Sequence, residues 1–175
     1  MTDDPWKDLL DPGERIIWQG RPDPGFGLTT ESYLMIPFGA VFTVFALFWM
    51  AMASMGSFIF SLFGLPFVAV GAGMLFWGVY GPTLTRRHTW YTLTNKRGFI
   101  ATDLPLQGRK LTSYPIMGAE LELIDSGGFE TVNFAEKVTR TKKHGTSRVP
   151  IGFKRLEESR EVYRLMRDIQ RGDIE

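Results

Sequence analysis

The sequence predicts a two-part membrane protein, in which a hairpin of two transmembrane α-helices is joined to a mostly β domain of about six or seven antiparallel strands capped by a C-terminal helix. The chain has 20 Lys and Arg and 19 Asp and Glu, yet the 54 residues of segment 32–85 contain no charged residue and no histidine. Short β-branched and aromatic runs separated by turn residues follow that segment. An apolar stripe at helical spacing ends the chain. These boundaries give three regions: 1–31, 32–85 and 86–175.

Composition excludes several classes of site. The chain has no cysteine and two histidines. A disulfide scaffold and a cysteine-ligated metal centre are therefore impossible, and a histidine-rich metal site is not expected. A formal net charge of +1 gives no general argument for a nucleic-acid partner. The sequence predicts no cofactor.

The uncharged segment is long enough for two membrane spans. One span needs roughly 20 apolar residues, so two helices and a tight turn fit. We place the helices at about 33–53 and 58–80, with the turn at 54–57 and Ser57 as the cap of the second helix. Gly81-Pro82 is expected to end that helix, because proline interrupts the helical hydrogen bonds. A buried hairpin of a soluble protein is the alternative, but 54 uncharged residues exceed what a small core encloses.

The interior of the hairpin gives two further expectations. Ala69 and Gly73 are spaced so that the two helices could approach closely there. No charge lies inside the spans, so a proton relay or ion pathway has no candidate residue, and a transporter or channel is disfavoured.

The basic residues near the hairpin predict its orientation. Arg15 and Arg21 precede it, four bases follow it within the next dozen residues, and none lies in the turn. The positive-inside rule then places both termini in the cytoplasm.

Strands are expected on both sides of the hairpin. After it, strand-like runs lie at 89–94, 97–102, 110–116, 120–124, 129–137 and 147–151. The turn residues 125–128 predict a β-hairpin between the fourth and fifth of these runs. Before the membrane segment, 14–20 is a compact apolar strand. We expect it to cross back and pack on the sheet built after the hairpin.

The last element is predicted as a helix over about 153–170. Its apolar stripe consists of Leu156, Val162, Tyr163, Met166 and Ile169. Such a helix could lie on the bilayer, but its acids are nearly as numerous as its bases. Docking on the sheet is therefore the prediction.

Three segments carry a resemblance to a known family. They are ERIIWQGRP at 14–22, WYTLTNKR at 90–97 and the closing helix with REVY at 160–163. Their order around an uncharged hairpin resembles the bacterial pleckstrin-homology-like (PH-like) membrane proteins. The resemblance implies a protein of the bacterial inner membrane with a cytosolic PH-like domain. It implies neither catalytic residues nor phosphoinositide binding.

Enzyme chemistry finds no signature in the sequence. Hydrolase, zinc-protease and phosphate-loop motifs do not occur. His88 and His144, beside basic residues, are typical of polar surface positions. Glu120 and Glu122 share one face of a predicted strand and are typical of a solvated edge. We expect a non-catalytic protein, with a small membrane-bound enzyme of unrecognised site as the alternative.

One loop, 139–148, is the candidate binding site. Arg140, Lys142, Lys143 and Arg148 lie in it without an acid. They could contact anionic lipid headgroups or an acidic protein partner, at roughly 1 kcal/mol per charge near a membrane. The alternative, which the pattern favours slightly, is a polar hairpin tip that is basic by chance and has no role. Nucleic acid is not expected, since interleaved aromatic residues are lacking. The expected function is a binding or scaffold module on the bilayer, and the sequence indicates no oligomeric state.

Overall fold

The computed structural model describes residue 6 and residues 9–105, 108–125, 128–141 and 145–174. The chain divides into two units. One combines Met1–Asp23 with Arg86–Glu175, and the other is Pro24–Thr85.

The second unit contains the predicted pair of long apolar helices. Helix α1 spans Thr30–Ser54, and a short helix α2 spans Phe58–Ser61. A single 3₁₀ turn, Leu62–Gly64, leads into helix α3, Leu65–Arg87. The predicted cap is confirmed, because the Ser57 hydroxyl accepts a hydrogen bond from the Phe60 N–H at 3.4 Å. Both helical segments are long and apolar enough to cross a bilayer.

The predicted end of the second helix is wrong. Helix α3 continues through Gly81 and Pro82 to Arg87. A proline normally disfavours a helical conformation of the preceding residue, because its ring collides with that residue's Cβ. Gly81 has no Cβ, so this collision is absent; what remains is the lost backbone hydrogen bond and the crowding of the carbonyl four residues earlier.

Small residues form the seam between the two long helices. Gly64, Gly71 and Gly78 recur at intervals of seven, and all three are buried. A Cβ at Gly71 would collide with the Thr43 side chain, and one at Gly78 would lie 2.9 Å from Ile36 Cγ1. On helix α1 the buried residues are also seven apart: Ser32, Gly39 and Ala46.

The small residues that the sequence suggested for this contact are the wrong ones. Ala69 is exposed, and a Cβ at Gly73 would have no atom within 4 Å. Both therefore lie away from the seam. The spacing of four between them was a local pattern, whereas the facing helix selects the sevenfold spacing of Gly64, Gly71 and Gly78.

The other unit is built from seven antiparallel strands in two sheets, followed by a helix, as predicted. The first sheet has the order β1-β2-β3-β4 and the second β5-β6-β7. The elements are β1 Ile16–Gly20, β2 Thr89–Thr94, β3 Arg97–Leu104, β4 Gly108–Pro115, β5 Glu122–Asp125, β6 Glu130–Thr141, β7 Gly145–Leu156 and helix α4 Ser159–Arg171.

The N-terminal strand crosses back to this domain, which confirms the prediction. Strand β1 pairs antiparallel with β2, so that Gly20 lies opposite Tyr91. The Trp18 ring packs 5.8 Å from that of Phe153, centroid to centroid. The segment before the helical hairpin is therefore part of the same core as the segments after it.

Phe153 joins the two sheets. Its ring lies 4.7 Å from Tyr91 of the first sheet and 4.8 Å from Phe134 of the second. Aromatic pairs at such distances add about 0.5–1.5 kcal/mol each beyond the area that they bury. The rest of the core consists of Leu93, Ile116, Val132, Leu156, Val162, Met166 and Ile169.

The predicted start of the C-terminal helix is wrong by six residues. Residues 153–156 belong to β7, where Phe153 pairs with Val132. Helix α4 begins at Ser159, whose hydroxyl donates to the Leu156 carbonyl at 2.8 Å. The predicted docking is confirmed: Val162, Met166 and Ile169 are buried in the core of the sheets.

A buried carboxylate fastens the N-terminal segment to the first sheet. Glu14 Oε2 lies 2.5 Å from the Arg97 guanidinium, and Oε1 accepts the Thr94 hydroxyl at 2.6 Å. Burial raises the pKa of Glu14, but the hydrogen bonds from Arg97 and Thr94 outweigh it and lower the pKa from 4.5 to about 2. Glu14 is thus ionised and fully paired at neutral pH.

Glu14→Gln tests this ion pair through acid stability. Because the pKa is lowered in the folded state, the stabilisation is complete above about pH 4.5 and disappears as the pH falls towards 2. Its size follows from the shift and is about 3 kcal/mol. Melting of the full chain in nonionic detergent should show a lower melting temperature for Glu14→Gln at neutral pH, with little further loss on acidification. Exposed Glu120→Gln is the control, and equal pH profiles for Glu14→Gln and the unmodified chain would contradict the assignment.

Gly71→Leu tests the helix seam, with Gly73→Leu as its matched control. Both changes raise helix propensity equally, but only the first places atoms against Thr43. Overpacking of this kind costs about 1–3 kcal/mol. We expect Gly71→Leu to lower the melting temperature in detergent, and Gly73→Leu to leave it unchanged or to raise it slightly through the gain in helix propensity. Equal effects of the two substitutions would place the seam elsewhere.

Candidate functional site

The predicted basic loop lies at the end of a long two-stranded ribbon. Strands β6 and β7 pair from Glu130–Leu156 at the base to Thr141–Gly145 near the tip. The base packs in the core, but the side chains further out are exposed. Val138 has 58% of its surface exposed and Val149 47%. A two-stranded ribbon without a packed face is only marginally stable in water. This part of the domain therefore presents both faces to its surroundings.

Of the four predicted site residues, the structure describes the side chain of Arg148 and the backbone of Arg140. Lys142 and Lys143 lie outside the described residues, as does His144. Arg140 is described by its backbone, which pairs with Thr146, whereas Arg148 pairs with Val138. Arg140 and Arg148 are thus two register positions apart on opposite strands.

Arg148 is the predicted site residue whose charged group is described. Its side chain is 73% exposed, and one guanidinium nitrogen lies 3.8 Å from Glu136 Oε2. An exposed ion pair of this length contributes little free energy, because water and salt screen it. The guanidinium group is therefore available to an anionic surface at small cost.

Two of the other polar residues considered in the sequence, Glu122 and His88, make hydrogen bonds within the fold. Glu122 accepts a hydrogen bond from the Asn133 side chain at 3.3 Å. Glu120 lies before β5 rather than within it, so the two carboxylates do not share a strand face as predicted. His88 accepts the Asp103 N–H through its backbone carbonyl at 2.9 Å. These contacts hold turns and strand ends together.

An acidic cleft of about 460 Å³ lies where the β5–β6 turn meets the start of helix α4. Two of its carboxylates are already engaged. Glu130 pairs with Arg160 at 2.9 Å, and Glu158 accepts the Trp18 indole N–H at 3.2 Å. Among the residues that the structure describes, no group of His, Asp and Glu is arranged to hold a metal ion.

Tyr91 is a buried titratable group on the core side of β2. Burial raises the pKa of its phenol, and its oxygen accepts the Lys154 N–H at 3.2 Å. A phenol with a raised pKa stays protonated at neutral pH, so it is not activated as a nucleophile. Its hydroxyl group joins β2 to β7 through this hydrogen bond.

Comparison with known proteins found no matching family model, no matching curated protein and no matching solved structure.

Proposed function

We propose that this chain is a non-catalytic binding protein of the bacterial inner membrane. Its helical hairpin spans the bilayer with both termini in the cytoplasm. Its β domain is a PH-like module that meets anionic lipid headgroups or an acidic protein partner at the membrane surface.

The exposed apolar surface of the hairpin is the observation that carries this proposal. In the most apolar stretches of its two helical segments, only 11% and 17% of the residues are buried. The core helix of a soluble protein would be mostly buried. Outward-facing side chains such as Val41, Phe48 and Phe63 would be unfavourable in water but are favourable in hydrocarbon.

The hydrogen bonds of the hairpin's hydroxyl groups also support placing the hairpin in a bilayer. Thr43 and Thr85 each donate to the carbonyl four residues earlier, at 2.7 and 2.9 Å. Ser54 and Ser61 each donate to the carbonyl three residues earlier, both at 2.7 Å. Inside a bilayer polar groups have no water to bond, so such internal partners are what a spanning helix needs.

The orientation follows from charge. Arg86 and Arg87 end helix α3, and Arg21 precedes helix α1, whereas residues 55–57 between the helices carry no charge. Basic residues near spans stay on the cytoplasmic side. Both termini and the whole β domain then lie in the cytoplasm.

The architecture of the β domain supports the PH-like assignment. A four-stranded and a three-stranded antiparallel sheet pack against one C-terminal helix, which is the element order that the family resemblance implies. Anchoring such a module at the bilayer raises its effective concentration for partners at the same surface. The exposed basic ribbon is the part of the module best suited to meet an anionic surface.

Cysteine labelling tests the topology. In intact cells, a membrane-impermeant thiol reagent should label Ser54→Cys and leave Ser126→Cys unlabelled. Both should react after the membrane is permeabilised, and the chain should stay in the membrane fraction at alkaline pH. The natural chain has no cysteine, so any label on this chain reports the introduced residue. Labelling of Ser126→Cys alone would reverse the orientation, and extraction at alkaline pH would refute membrane insertion.

Charge removal tests the ribbon. The variant Lys142→Gln/Lys143→Gln/Arg148→Gln should bind vesicles containing phosphatidylglycerol more weakly by about 3 kcal/mol, roughly a hundredfold, at low salt. The measurement is co-sedimentation of nanodisc-embedded protein with vesicles, over a range of salt. Lys110→Gln/Arg164→Gln/Arg171→Gln removes the same charge from other exposed positions and should have a smaller effect.

Equal losses in the two triple variants would show a general charge effect and no role for the ribbon. If neither form binds vesicles, the acidic-partner alternative predicts a protein that co-purifies from native membranes. Moderate salt and the ribbon variant should both release that protein.

A further inference from the structure

A cleft of about 470 Å³ lies on the outer face of the first sheet, on the side opposite the core. Its size is within the range of about 300–1,000 Å³ usual for small-molecule sites. Along β2, Tyr91 and Leu93 point into the core, so the alternate residues Trp90 and Thr92 point to the cleft.

Aromatic rings form its floor and one wall. Ala101 and Phe99 of β3 lie opposite Trp90 and Thr92 in register, so all four share this face. The Trp6 ring stands edge-on to Phe99, with the centroids 5.5 Å apart. The Trp6 ring thus covers part of the sheet and leaves a recess beside it.

Arg21 forms the polar side of this recess. Its Cζ lies 4.9 Å from the centre of the Trp90 ring, a cation–π arrangement. Within the described part of the chain Arg21 makes no ion pair, whereas Arg97 and Arg155 each have a carboxylate within hydrogen-bond distance. The guanidinium is therefore positioned by an aromatic face, and its N–H donors are not engaged by a described carboxylate.

We propose that this cleft binds an amphiphilic anion, an apolar chain or ring that carries a carboxylate or phosphate. The apolar body lies against Trp6, Trp90 and Phe99, and the anionic group meets Arg21. The Gln19 side chain, which donates to the Thr92 hydroxyl at 3.3 Å, adds a neutral polar edge. This inference rests on the proposed role as a binding module and gives that module a ligand class.

The place of the cleft in the chain suits such a ligand. Trp90 follows Arg87 by three residues, so chain length keeps the two within about 11 Å. In the proposed topology Arg86 and Arg87 lie in the headgroup region. A short connection then ties Trp90, which lines the cleft, to residues that lie among the headgroups.

Dodecyl phosphate is the probe for this site. The full chain in phosphatidylcholine nanodiscs should bind it saturably, by calorimetry against empty nanodiscs. Dodecyltrimethylammonium, with the same chain and opposite charge, and inorganic phosphate, without a chain, should show no saturable binding. Competition by phosphatidylglycerol placed in the nanodisc would identify a bilayer lipid as the source of the anion. Its failure to compete would identify a free amphiphile.

Three variants locate the binding. Arg21→Gln should weaken it at least tenfold, since it removes a charged hydrogen-bond donor. Arg15→Gln removes the same charge from an exposed position outside the cleft and should leave binding unchanged. Ala101→Leu keeps Arg21 but fills the recess, and should abolish binding even if Arg21→Gln proved unstable.

Saturable binding of the cationic amphiphile, or equal affinities in Arg21→Gln and Arg15→Gln, would overturn the proposal. Alkaline extraction of the unmodified chain separates the two hypotheses. If that chain stays in the membrane fraction but shows no saturable binding of dodecyl phosphate, the cleft alone is refuted, whereas its release from the membrane would refute the proposed function.

Discussion

The pairing of β1 with β2 is the constraint on which the rest of the molecule depends. Gly20 and Tyr91 are neighbours in one sheet although about seventy residues separate them. The segment that connects two adjacent antiparallel strands must therefore begin and end at the same edge of the sheet. A segment inserted there can cross a bilayer only an even number of times, so one helix would be incompatible with this sheet. The two-helix hairpin is the smallest insertion that satisfies the constraint.

Two different interactions hold β1 in position. On the core side, Trp18 packs on Phe153, which itself joins the two sheets. At the strand's start, the paired Glu14 fastens the preceding segment to Arg97. The ion pair also fixes where the segment lies, because an unpaired buried carboxylate would be costly. Together they make the segment 14–20 an integral part of the β domain.

Local patterns were enough to predict the elements but not their exact contacts. The absence of charge over 32–85 and the period-two runs after it gave the helices and strands. The predictions that failed depended on contacts between residues far apart in the chain. Phe153 is a strand residue because Val132 pairs with it, and the facing helix selects which glycines form the seam. The ribbon charges were visible as a run in the sequence. The cleft was not, because Arg21 and Trp90 meet only after the strands pair.

The same pairing has a consequence for the order of events during synthesis. At about 5–20 residues per second, a ribosome makes β1 on the order of ten seconds before β2. Throughout that interval Ile16, Ile17 and Trp18 have neither their strand partner nor their core. The seven acids and three bases among the first 31 residues give this waiting segment a net negative charge, which opposes association between nascent chains. The N-terminal strand is thus made before the other strands of its sheet, and it can pair with them only after both long helices have been synthesised.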